Sequence, residues 1–192
     1  DLMAFGTAAA QARARDWTRD WILRFGKGTG PGWTPDLTGR RIIRWVHHAT
    51  TLLSGADRTT TEDFYRVLAR QSAYLARRWQ AAAPGLPQIE ALTGLVYAGL
   101  SLMGMGQLVG PAAAGLDSAC RADIDPEGGI RSRNPEELLE ILTLLTWAAS
   151  AMTETARPVP AELSAAIRRV TPALRALRHA DGGLARFHGG AP

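Results

Sequence analysis

Apolar, cavity-like helices begin near Asp36, Pro87 and Asn134, roughly 50 residues apart, and each is followed by a more charged helix with arginine on one side. A helix that is apolar nearly all round cannot lie at a surface, so its neighbours must cover it. The alternation therefore predicts repeated antiparallel helical hairpins, with inner helices facing the centre and outer helices facing solvent. An all-α array, curved or closed into a toroid, satisfies that pattern.

Seven helical segments are legible. The first runs from about Thr7 to Phe25, with Trp17, Trp21 and Phe25 at i, i+4 and i+8 as a packing face. A loop rich in Gly and Pro, residues 26–35, isolates Trp33. The second helix takes Asp36 as its cap and continues to about Ser54. The third begins at the Thr59–Thr61 run and continues through Trp79 to the alanines at 81–83, where Pro84 and Pro87 break the chain. The fourth spans about Pro87 to Gln107, with Thr93, Tyr97 and Ser101 as its polar stripe, and the fifth is a short piece from Pro111 to Asp123. The sixth has Asn134 as N-cap, Pro135 at its first position and Glu136 and Glu137 in its first turn. Its narrow polar stripe, Glu140, Thr143, Thr146 and Ser150, predicts a lined cavity. The seventh runs from about Pro160 to His179. No sustained period-two alternation occurs, so no strand is expected.

Length and composition exclude several classes. A chain of 192 residues with 46% hydrophobic and 21% charged residues buries a sizeable core in one domain or a large piece of one. The net charge is +4, but Lys27 is the only lysine and the arginines are spread over several helices. That is a dispersed basic surface rather than a nucleic-acid footprint, and it leaves a carboxylated or sulfated polyanion as partner. The single Cys120 excludes an internal disulfide and a multi-cysteine metal site. The apolar run Ala91–Gly106 is shorter than the ~20 residues that span a bilayer and is interrupted by Gly94, Gly99, Gly104 and Gly106, so no membrane span is expected. A start at Asp1 and a Gly-rich end read as a fragment of something longer, so no leader can be read from this sequence.

The constellations able to carry chemistry are few. Leu37, Arg41, Trp45, His48 and Leu52 share one face of the second helix, which sets a cation and an imidazole in an apolar stripe. Either Arg41 and His48 project into a groove and bind an anion beside Trp33 or Trp45, or Arg41 pairs with an acid and His48 with a carbonyl. Metal binding by His47 and His48 is disfavoured, because adjacent helical positions point about 100° apart. Tyr97 either presents its hydroxyl to a cavity or is a core tyrosine with one hydrogen bond. His179 and His188 flank a terminal loop. No nucleophile elbow, Walker loop, dinucleotide fingerprint or HExxH motif occurs, and no cofactor or metal is expected.

Four segments in order, WTPDLTGRRIIRW (Trp33–Trp45), GLPQIEALTGLVYAGLSL (Gly85–Leu102), IDPEGGIRSRNPEELLEILTLL (Ile124–Leu145) and LRHADGGLARFHGG (Leu177–Gly190), resemble the N-terminal helical domain of the heparinase II/III-like proteins. The resemblance implies an incomplete (α/α) toroid over residues 1–178, with 179–192 leading to a C-terminal β-sandwich that this chain lacks. It implies an acidic, uronate-containing polysaccharide as partner, cleavage by β-elimination, and a periplasmic setting. In that chemistry one side chain neutralises the uronate carboxylate, while a tyrosine and a histidine move the protons.

The match also carries departures. Those lyases place a tyrosine where Glu137 stands and a histidine where Leu138 stands, and an Asn-His pair where this chain reads Gly85–Gln88. Asn134 and Glu137 are then the remaining catalytic candidates. Trp33, Arg41, Arg44, Trp45, His48, Tyr97, Arg131 and Arg133 are the candidate substrate-binding residues. The alternative is a toroid that binds glycan, or serves as a scaffold, without lyase chemistry.

Overall fold

The computed structural model describes residues 6–186. Eight α-helices form among them: α1 (Ala8–Phe25), α2 (Pro35–His47), α3 (Ala49–Leu52), α4 (Arg58–Arg78), α5 (Leu86–Ser101), α6 (Val109–Asp123), α7 (Pro135–Glu154) and α8 (Ala161–Ala176). No strand forms among the described residues; two isolated antiparallel bridges join Ile124 to Ile130 and Arg178 to Leu184. His188 and the end of the expected tail lie outside the described residues.

Three antiparallel hairpins, α2/α4, α5/α6 and α7/α8, stand side by side in two layers. In the inner layer α5 packs between α2 and α7, and in the outer layer α6 packs on α8. Helix α5 is apolar on every side, and Ile89 through Gly99 are buried without interruption. Ile42 and Ile43 of α2, Leu68 of α4, Leu116 of α6 and Leu145 of α7 close round it with at most 1% of their surface exposed. Burial on that scale is the main favourable term holding the layers together.

Helices α2 and α5 cross in close contact. A Cβ on Gly94 would lie 2.6 Å from the Cα of Gly39, and one on Gly39 would lie 2.8 Å from the Cα of Ala91. Real Cβ atoms do not come that near to backbone, so only two glycines let these helices cross in direct contact.

The boundaries follow local chemistry. Thr34 caps α2 and Pro35 opens it, so the expected cap at Asp36 is displaced into the first turn, where its charge meets the helix dipole. The expected continuous second helix stops at His47, because His48 leaves the helical region at φ −107°, ψ 12°; only the four residues of α3 follow. Helix α5 ends at Ser101 rather than Gln107, since Gly104 turns at φ 77° and Met103 is fully exposed. Asn134 is the N-cap of α7 as expected, its Oδ1 accepting from the Glu136 N–H at 2.9 Å.

Two expectations about faces are corrected. Helix α7 is not enclosed: Leu139 is 43% exposed and Glu140, Thr146 and Ser150 lie at the surface, because among the described residues no helix packs beyond α7 on that side of the inner layer. In α1, Trp21 packs against Trp45 while Trp17 is 60% exposed, so the expected three-ring face is only partly used. The Gly-Gly turn is structural. Gly129 donates to Asp125 Oδ1 at 2.7 Å, and Gly128, at φ 85°, lies so close to the Arg169 backbone of α8 that a side chain has no room. The same turn recurs after α8, where Gly183 donates to Asp181 Oδ1 at 2.8 Å.

Alanine at Gly94 gains up to ~1 kcal/mol of helix propensity, but the clash with α2 outweighs it at about 3 kcal/mol. Gly94→Ala is therefore expected to lower the unfolding midpoint in a denaturant titration, whereas the same change at exposed Gly110, which meets no atom within 4 Å, is expected to leave stability level or raise it. Equal midpoints for the two variants would contradict the close crossing.

Candidate functional site

A cavity of about 230 Å³ opens where α2, α5 and α7 meet, and Arg40, Arg44, Glu90, Glu140, Thr143 and Trp147 line it. Each side chain arrives there by helical spacing. Arg40 and Arg44 are one turn apart on α2, and Glu140, Thr143 and Trp147 form a stripe at i, i+3 and i+7 on α7. Glu90 follows from the glycine crossing: its residue lies against Gly39, which brings its carboxylate to the neighbouring Arg40.

Arg40 is the hub. Its Nε donates to Glu90, and its Nη2 reaches Glu140 at 3.3 Å, so one guanidinium joins all three inner helices. The Arg40 and Glu140 side chains are about half exposed, but Glu90 is only 3% exposed. Burial pushes the Glu90 carboxyl from 4.5 up to about 7; Arg40 opposes the rise, and Glu140 and Asp36 add to it. Desolvation by itself lowers Arg40, yet Glu90, Glu140 and Asp36 together hold it above its ordinary value.

Aromatic rings extend one end of the groove. The His47 ring meets Trp147 edge-on at 5.0 Å and Tyr97 edge-on at 4.8 Å. His47 is exposed, and burial together with His48 and Arg44 lowers its pKa. Tyr97 is 8% exposed, and burial, then Glu154, raises its phenol. The pair joins this groove of paired charges to an aromatic wall.

The residues expected from the sequence divide three ways. Arg44 lines the groove and Tyr97 backs its aromatic wall. Arg41, Trp33 and Trp45 instead form a packed cluster behind α2. The Arg41 guanidinium lies 3.9 Å from the centre of the Trp21 ring, donates from Nε to Gln71 at 2.6 Å and from Nη1 to the Gly32 carbonyl at 3.0 Å, and burial lowers its pKa to about 10. Its partners are therefore a ring, an amide and a carbonyl rather than the acid one reading expected. Trp33 stacks on Trp21 and donates to the Phe25 carbonyl, and Trp45 is 6% exposed against Phe64. His48 sits at the end of α2, half-buried, where its backbone closes the helix.

Arg131 and Arg133 lie elsewhere, on a second cavity of about 660 Å³ at the α6–α7 turn, together with Arg121, Arg169, Asp123 and Asp125. Arg131 stands 3.8 Å from Asp123, whose other oxygen accepts from the Gly85 N–H at the start of α5. Arg133 is exposed and adopts a left-handed φ of 53°. Asn134 is occupied as a cap, and Glu137 is half-buried in the first turn of α7; neither lines the α2/α5/α7 groove. Among the described residues no cluster of three or more His, Cys, Asp or Glu suits a metal ion, and no helix is long and apolar enough to cross a membrane.

Sequence reasoning passed over Arg40, His47, Glu90 and Trp147. The usable signal was Glu90, the lone acid of an otherwise apolar helix: a buried carboxylate requires a partner, and Arg40 supplies it.

No family model matches the chain. FtsZ-localized protein C of Caulobacter vibrioides is 34% identical over 193 residues, a span covering 99% of this chain and 33% of that protein. The chain thus spans about a third of the length of that curated relative. The crystal structure of heparan sulfate lyase HepC from Pedobacter heparinus is similar with a TM-score of 0.63 at 14% identity, over 94% of this chain and 30% of that one. That likeness concerns the fold, and the fold is an incomplete α/α toroid of distant heparinase-like type.

Because the Arg41 contacts depend on a planar fork and a flat cation over a ring, lysine cannot reproduce them. Arg41→Lys is expected to lower the thermal midpoint by the equivalent of about 2 kcal/mol although it keeps the charge. An unchanged midpoint would show that the cluster does not need the guanidinium.

Proposed function

We propose that this chain is the helical toroid portion of a longer protein and binds an acidic, uronate-bearing polysaccharide in the α2/α5/α7 groove, without carrying out the β-elimination of the lyases. Residues 1–178 are then the toroid, and 179–192 lead toward a further, β-sandwich domain. The observation that carries the reading is the groove itself: the guanidinium groups of Arg40 and Arg44, set among the carboxylates of Glu90 and Glu140, stand beside the aromatic wall of Trp147 and His47. Carboxylate or sulfate groups suit guanidinium forks, and a sugar ring suits the Trp147 face. Likeness in fold to a heparan sulfate lyase supports the same ligand class.

Binding is favoured over catalysis because Asn134 holds the start of α7 and Glu137 stands in that first turn, outside the groove. A β-elimination needs a base within reach of the sugar C–H and a group on the uronate carboxylate. Of the remaining groups, Glu90 is engaged by Arg40, the Tyr97 phenol is buried and raised, and the His47 ring is packed edge-on against both Tyr97 and Trp147. Arg131 and Arg133 offer a second, separate anion contact on the α6–α7 cavity.

A second reading is favoured by the relative named for its localisation to FtsZ, since it matches 99% of this chain. In that reading the domain is a scaffold in a protein that assembles with FtsZ. The two are compatible in a longer chain, and each has its own test.

Full-length protein incubated with heparin and with alginate is expected to bind in isothermal titration and to release no unsaturated uronate, followed by ultraviolet absorbance. Trp147→Ala and Arg44→Ala are each expected to weaken binding about tenfold, a loss of ~1.4 kcal/mol, while leaving the thermal midpoint within a few degrees. Unsaturated product would overturn the non-catalytic reading, and no binding to either polymer would overturn the glycan reading. Co-sedimentation with FtsZ polymers, unaffected by those two variants, is the outcome the scaffold reading requires.

A further inference from the structure

The groove presents a charge conflict to the ligand proposed for it. Its two cations, Arg40 and Arg44, are matched by two carboxylates, Glu90 and Glu140, and Arg40 already lies on both of them. A polyanion approaching Arg40 meets negative charge at the same place, and like charges brought together under reduced dielectric repel strongly. Both carboxylates must yield before the Arg40 guanidinium can turn fully to a ligand.

The two differ in how they can yield. Glu140 is 54% exposed and can swing into water. Glu90 is 3% exposed and stands on the helix that Gly94 locks against α2, so its carboxylate stays within reach of Arg40. For a buried carboxyl that cannot move, the route to neutrality is a proton.

We propose that polyanion binding in the α2/α5/α7 groove is coupled to uptake of one proton by Glu90, which frees the Arg40 guanidinium from its buried partner and turns it to the ligand. The inference rests on the glycan-binding reading and assigns that site its regulation. The proton comes from solvent to a Glu90 carboxyl oxygen, and Arg40 keeps its own proton and charge throughout. The protonated carboxyl changes from acceptor to donor, able to hydrogen-bond a carboxylate or sulfate oxygen of the ligand.

The charges acting on Glu90 are Arg40 and Asp36 from α2 and Glu140 from α7; Arg44 and His47 stand farther along α2 on the same groove. Only Arg40 opposes protonation among the three, and burial, Glu140 and Asp36 favour it. The free carboxyl titrates at about 7, and an added polyanion raises that value further. The sign follows: affinity is greatest below pH ~7 and falls as pH rises through it.

The test titrates full-length protein with heparin at pH 6.5 and pH 8, in buffers of different ionisation enthalpy. If only the protonated form is competent, wild-type affinity is roughly eightfold higher at pH 6.5 than at pH 8, with close to one proton taken up per site at pH 8. Glu90→Gln is expected to bind equally at both pH values, as tightly as the wild type at pH 6.5, and His47→Gln to keep the wild-type pH dependence. Wild-type binding without a pH difference or proton uptake overturns the inference and leaves the glycan reading intact, and so does a pH dependence that survives in Glu90→Gln. Heparin binding absent from every form at both pH values removes the glycan reading and the inference with it. If Glu90→Gln folds poorly, proton uptake at pH 8 decides: its persistence in His47→Gln supports Glu90, and its loss there overturns the inference.

Discussion

The contact between Gly39 and Gly94 underlies the arrangement of the inner layer. Two helices that touch backbone to backbone leave no space for side chains at the crossing, so the residues beside it are forced outward. Arg40, next to Gly39, and Glu90, one turn before Gly94, emerge on the same side and meet. Helix α7 then docks on α5 and brings Glu140, Thr143 and Trp147 to that edge. The ion pair that links three helices and the groove around it are thus consequences of one packing constraint.

Adjacent arginines take opposite roles because a helix turns 100° per residue. Arg41 points back among Trp21, Trp33 and Gln71, where a desolvated guanidinium is satisfied by a ring, a carbonyl and an amide. Arg40 points into the groove, where its partners are the carboxylates of Glu90 and Glu140. A cation that is buried and fully engaged stabilises a structure; one that is half exposed and shared between two acids can exchange a partner. Placing anion recognition on Arg40 rather than Arg41 follows from that difference.

Much of the fold was legible because it depends on period and caps. The alternation of apolar and arginine-bearing segments gave the inner and outer layers, and Asn134 with Pro135 gave the start of α7. The site was less legible. Arg41 and Trp45 share a face in the sequence as they do in the fold, but that this face is covered by Trp21 and the Trp33 loop depends on contacts across distant residues. Glu90 and Arg40 are 50 positions apart, and their meeting depends on two glycines whose close approach no periodicity records. The resemblance to heparinase-like proteins conveyed the architecture, and its motif positions pointed to the α6–α7 turn, where Asn134 serves the helix and Gly128 serves the packing on α8.

The central claim is that the α2/α5/α7 groove is where an acidic glycan binds. It is tested most directly by a crystal structure of the full-length protein with a uronate-containing oligosaccharide, grown below neutral pH. The account predicts ligand density in this groove, with an anionic group on Arg40 and a sugar ring against Trp147. Density confined to the α6–α7 cavity or to another domain, with Arg40 still bridging Glu90 and Glu140, would contradict it.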